Sequence, residues 1–256
     1  MALNCIYKVV WSKTKGCYIV VSELAKRVGR NKAKAIVIGS AAMAMAVSPV
    51  MTSTVSAVLN QAGTGGGNTV AWGEQSNVAQ NNGVAIGKKA QSTGDSAIAL
   101  GFESQSTSEQ SVAIGLQTKA TNKQAVAVGS KSQATGDSSI AIGKEANASN
   151  ESSVALGSST TSTNKFTTAV GGTAFANQEG ATALGYGAKA TNTNAIAIGK
   201  LAKAEKVGVL ALGSAASAQG DDTIAIGNSA TAKKLGDIII GKDAKSRDEG
   251  GGRSVA

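Results

Sequence analysis

No histidine occurs in the 256 residues, so the chemistry open to this chain is narrow from the start. Catalytic triads, His-ligated zinc and imidazole general bases are excluded. Both cysteines, Cys5 and Cys17, and all four methionines, Met1, Met43, Met45 and Met51, lie near the amino terminus. The run Gly63-Thr64-Gly65-Gly66-Gly67 has phosphate-loop composition, but no Lys-Ser/Thr pair and no helical pattern follow it, so it reads as a flexible linker. Gly94-Asp95, Gly136-Asp137 and Gly220-Asp221 share a Gly-Asp pair with calcium-binding rolls. Such rolls need an aspartate at nearly every turn of a nonapeptide, so these pairs read as turn residues. Lys88, Lys144, Lys200 and Lys242 recur at one position of a repeat, where an exposed, edge-protecting role outweighs a basic stripe for acidic partners. No residue stands out as a lone reactive group in a pocket-forming loop. An enzyme, a cofactor, a metal and a small-molecule substrate are therefore not expected.

The elements that carry these residues begin with a presequence. Residues 1–34 hold eight cations and one anion, which accounts for +7 of the formal net charge of +9. The rest of the chain is nearly balanced, which removes the case for nucleic-acid binding. The apolar run Ala35 to Val47 and the small residues ending in Val55-Ser56-Ala57 complete the order of a secretory signal, with cleavage predicted after Ala57. A membrane anchor is the competing reading, but Gly39, Ser40, Ser48 and Pro49 dilute the apolar run. The expected organisation is residues 1–57 as a removed signal, 58–69 as a Gly-rich linker, 70–246 as repeats and 247–256 as a polar tail.

A 14-residue period governs the repeats. Gly73, Gly87, Gly101, Gly115, Gly129, Gly143, Gly157, Gly171, Gly185, Gly199, Gly213, Gly227 and Gly241 follow one another without an insertion. Alanine stands two residues before each glycine except Gly241, where Ile239 replaces it. Large aliphatic residues flank the alanine: Val84 and Ile86, Ile98 and Leu100, Val112 and Ile114, Val126 and Val128, Ile140 and Ile142, Val154 and Leu156, Ile196 and Ile198, Leu210 and Leu212, Ile224 and Ile226, Ile238 and Ile240. This alternation predicts a short strand, with the large pair assigned to the coil core and the alanine to a face that meets neighbouring chains. Small residues three and five after the glycine predict a second strand, and Gly or Asn seven after it predicts a second, left-handed turn. Trp72, at the core position of the first coil, is expected to plug the open end.

Two strands and two turns in 14 residues make one coil of an all-β, parallel β-roll solenoid. One coil buries too little to offset the cost of ordering its backbone, so the rod is expected to form a homo-oligomer, with no copy number read from this argument.

Repeats such as Ser111-Val112-Ala113-Ile114-Gly115, Ser139-Ile140-Ala141-Ile142-Gly143 and Ser153-Val154-Ala155-Leu156-Gly157 resemble the head repeats of YadA-type trimeric autotransporter adhesins. The segment from Ile6 to Tyr18, with Val21-Ser22-Glu23-Leu24-Ala25 after it, is similar to the extended signal peptide region of large Gram-negative autotransporters. The resemblance implies a left-handed roll, a homotrimer, type V export to the bacterial surface, and adhesion to host matrix proteins, host cell receptors or other bacteria. No heptad stalk and no membrane-barrel strands are found after residue 246, which leads us to expect a truncated product or a fragment. The competing function is a non-adhesive structural or surface-structuring solenoid. That role demands regular threonine rows, whereas Thr stands six after the glycine only at Thr93, Thr107, Thr121, Thr135, Thr163 and Thr191. A hexapeptide-repeat acyltransferase fails on period and on the missing histidine.

Overall fold

The computed structural model describes the backbone of residues 7–12 and 17–22 and all of residues 68–246. The predicted cleavage site at Ala57, nearly all of the predicted linker and the 247–256 tail lie outside the described residues. In the amino-terminal unit, strand Tyr7–Ser12 pairs antiparallel with Cys17–Ser22, placing Trp11 opposite Tyr18 and Ser12 opposite Cys17.

From Val70 onward the chain winds as a solenoid with two parallel sheets. Three-residue strands, from Val70–Trp72 to Ile238–Ile240, form a 13-stranded sheet; two-residue strands, from Asn77–Val78 to Thr231–Ala232, form a 12-stranded one. Every strand pairs in register with those 14 residues away, as Ile98, Ala99 and Leu100 do with Val112, Ala113 and Ile114, and as Gln105 does with Lys119. The ladder continues around the corners. Gly87 N–H donates to the Trp72 carbonyl at 2.7 Å, Lys89 N–H to Glu74 at 2.8 Å and Ser96 N–H to Asn81 at 2.9 Å. Each coil therefore hydrogen-bonds chiefly to its neighbours, and successive coils rise by about 4.8 Å.

Two turns close each coil. One runs from the repeat glycine to the residue three later, where Ala90 N–H donates to Gly87; the other begins seven after the glycine, where Ser139 N–H donates to Gly136 at 3.2 Å. The third residue of each turn is left-handed, as a type II turn requires. Left-handed residues consequently recur at every seventh position from Gln75 to Asp243, and each coil is two half-coils of seven. Most of them are not glycine: 21 residues, including Lys89, Gln117 and Phe166, hold φ between 52° and 59°. The position seven after the glycine thus starts the second turn, but the left-handed residue predicted there lies two further on. Gly94 is required by close approach instead, since a Cβ there would stand 2.0 Å from the Ser108 carbonyl oxygen of the next coil.

The repeat glycines from Gly73 to Gly227 have both reasons for being glycine. All thirteen hold φ between 121° and 140°. A Cβ on Gly101 would stand 2.3 Å from the Gly115 carbonyl oxygen, and the same collision recurs up the column.

The interior corrects the predicted core. Ala85, Ala99, Ala113, Ala127, Ala141 and their equivalents are wholly buried, facing the small residues three, five and ten after the glycine, such as Ala90, Ser92 and Ala97. The aliphatic pairs assigned to the core point outward: Val84 and Ile86, Ile98 and Leu100, Val112 and Ile114, Val126 and Val128, Ile140 and Ile142, Val154 and Leu156, Ile196 and Ile198, Leu210 and Leu212, Ile224 and Ile226, Ile238 and Ile240 are half-buried or exposed. The physical reason is the length of the circuit. Two strands joined by two tight turns hold the sheets too close for anything much beyond a methyl or hydroxymethyl group from each side, so only the small member of each alternating trio fits between them. Buried hydroxyls find carbonyls: Ser106 Oγ donates to Ser111 at 2.7 Å and Thr118 Oγ1 to Gly129 at 2.7 Å. Trp72 is 65% exposed and plugs nothing. The ends of the interior are filled by Val78, paired with Gly83 whose added Cβ would lie 2.6 Å from its Cγ1, and by Ile239 in place of alanine.

Candidate assembly and adhesion faces

Because the interior takes small residues apart from Val78, Val209, Asp237 and Ile239, the chemistry of the roll lies on its two outer faces. The outer face of the 13-stranded sheet carries two columns of Val, Ile and Leu, interrupted by Thr168 and Thr182. Ile142 is 42% exposed and Ile240 56%. Branched aliphatic residues favour strands and pack into regular ridges, so this stripe is apolar over most of the length of the rod, with one column broken at Thr168 and Thr182. Exposed apolar surface of that extent marks a contact with another molecule.

The outer face of the 12-stranded sheet is polar apart from Phe175. Gln91, Gln105, Lys119 and Gln133 occupy the same strand position in four successive coils, and Lys89, Glu103, Gln117 and Lys131 form the column beside them. Together they line a groove of about 530 Å³. Gln117 Nε2 donates to Glu103 at 2.9 Å and Lys89 stands 3.5 Å from it. The Gln117 amide first, and then Lys89, hold the Glu103 carboxyl below the usual carboxylate range, whereas partial desolvation opposes them. At the adjoining corner Lys88 lies 2.9 Å from Glu74, and that hydrogen bond and charge lower the Glu74 pKa.

The structure separates several residues grouped by sequence type. Lys88, Lys144, Lys200 and Lys242 are exposed at one corner, but the first three lie four coils apart, roughly 19 Å, so they make no continuous stripe. Asp95, Asp137 and Asp221 are exposed on distant coils, and among the described residues no three Cys, Asp or Glu side chains stand close enough to share a metal. Thr93, Thr107, Thr121 and Thr135 do stack as a row, but they are half-buried, and Ser149 ends the series. Side chains that sequence reasoning left out of any site are also exposed: Phe102 beside Leu116 on consecutive corners, Phe166 on a left-handed turn, and Tyr186. Their signal was their departure from a repeat that otherwise places small or polar residues there.

Residues 4–52 match the family model for the extended signal peptide of the type V secretion system. The model for the YadA head domain repeat matches residues 65–90, 92–118, and, in overlapping copies, 120–230. No individual curated protein matches the chain. The 14-residue coils, the in-register stacking and these two matches agree, and the chain belongs to the YadA-like family of trimeric autotransporter adhesins, carrying a type V export signal that routes it to the cell surface.

Proposed function

We propose that the roll is the head of a surface adhesin that assembles as a homotrimer through the aliphatic outer face of its 13-stranded sheet and attaches the cell to host extracellular matrix, host cell receptors or other bacteria. One observation carries this reading: a largely apolar stripe along the 13-stranded sheet is left uncovered by the chain's own fold, while the opposite face is polar except at Phe175. Sister copies supply the cover, and heads of the family are trimers. Three parallel rods then present each outer feature three times, so weak contacts add through avidity. The head acts by binding, not by catalysis.

The test is adhesion of cells displaying the chain to surfaces coated with matrix proteins, to host cells and to each other. Attachment well above that of cells displaying an unrelated exported protein is expected. Equal attachment on every surface would leave the head as a spacer.

A further inference from the structure

The polar groove on the 12-stranded sheet is not explained by assembly, since the aliphatic stripe lies on the other side of the roll. It holds three lysines against one glutamate, and that glutamate is already engaged by Gln117 and Lys89. Among the described residues no carboxylate lies within ion-pair distance of Lys119 or Lys131. Gln91, Gln105 and Gln133 add amides that both donate and accept, repeated at the rung spacing of about 4.8 Å.

We propose that this groove binds a linear polysaccharide bearing uronic-acid carboxylates, lying along the rod axis, with its ring hydroxyls on the glutamine amides, one carboxylate shared by Lys119 and Lys131 on adjacent rungs and the next on Lys89. A peptide fits poorly. The strands along this face already spend their backbone groups on the ladder, and no apolar pocket lines the groove to hold an anchoring side chain. The rung spacing is close to the length of one pyranose ring in an extended glycan, so hydroxyls recur in step with amides. Lys89 and Lys119 stand two rungs apart, roughly 10 Å along the axis, which suits one carboxylate for every two sugar rings. A densely sulfated chain would meet the Glu103 carboxylate. The inference deepens the adhesive reading and rests on it.

The test measures binding of hyaluronate fragments by the exported chain, with neutral dextran and poly-glutamate as comparators. Saturable binding to hyaluronate is expected, falling about tenfold or more in Lys119→Glu/Lys131→Glu. Gln105→Ala should weaken it severalfold, while Lys189→Glu/Lys203→Glu, on the same sheet outside the groove, should leave it unchanged. Absence of hyaluronate binding, equal loss in both lysine pairs, or equal competition by poly-glutamate would each overturn the proposal. Matrix-coated surfaces are run in parallel: attachment there without hyaluronate binding sinks the groove alone, and failure of both sinks the adhesive reading as well.

Discussion

The two outer faces of the roll come from the same 14-residue coil, share one interior and belong to one continuous ladder, yet one carries mostly Ile, Val and Leu and the other mostly Gln, Lys, Asn and Thr. In an ordinary sheet sandwich the large apolar residues meet inside. Here the interior is filled by Ala, Ser and Thr, and the side chains able to bury the most apolar area stand outside on one face only. On the proposed assembly, a large part of the hydrophobic stabilisation available to this chain is intermolecular, and the polar face is left free for ligands.

That contrast can be broken from either side. The largest effect is expected from Ile114→Asp/Ile142→Asp, which places carboxylates on the face proposed to meet sister copies. Each aliphatic side chain contributes about 1.5 to 3 kcal/mol when covered, and the loss is repeated in every copy, so heat and protease resistance should collapse. The same charges at Gln105→Asp/Gln133→Asp should leave both unchanged. Next comes Ala141→Leu, one residue from Ile142 but facing inward. Its added methylenes have nowhere to go between the sheets, and denaturant unfolding should show a loss of about 3 kcal/mol or more despite the gain in hydrophobicity.

A smaller change concerns the corners that join the faces. Ser96 holds φ at 54°, so Ser96→Gly should relieve strain and raise stability by about 0.5 to 1 kcal/mol in the same assay. The smallest concerns pH. The carboxyls of Glu74 and Glu103 are lowered from the ordinary value of 4.5, so whatever they contribute is present above that value and is lost as pH falls through their lowered pKa values. Because Glu74 is exposed and Glu103 still reaches solvent, Glu74→Gln/Glu103→Gln should sit slightly below the parent in melting temperature at neutral pH and converge with it in acid.

The period, the three-residue strand, the glycine column and the export signal were legible because each repeats a residue type whose physics is unambiguous. Inside and outside were not. Alternation such as Ile140-Ala141-Ile142 shows that the two kinds of side chain oppose each other but not which goes in, and the usual rule that large residues fill cores fails in so short a circuit. The deciding signal was the position ten after the glycine, occupied by Ala97, Ser111, Ala125, Ser139 and Ser153, with Val209 and Asp237 as departures. Positions that stay mostly small around the coil are the interior ones. The left-handed residues were illegible for another reason: Gln117, Lys131 and Phe166 are types that carry no αL preference, and turn closure imposes the conformation on them.

Sedimentation equilibrium of the exported chain across micromolar concentrations tests the central claim most directly. The account predicts one species at three times the chain mass, which dissociates when Ile114 and Ile142 carry charge. A stable, folded species at the mass of a single chain, with its aliphatic face open to water, would contradict it.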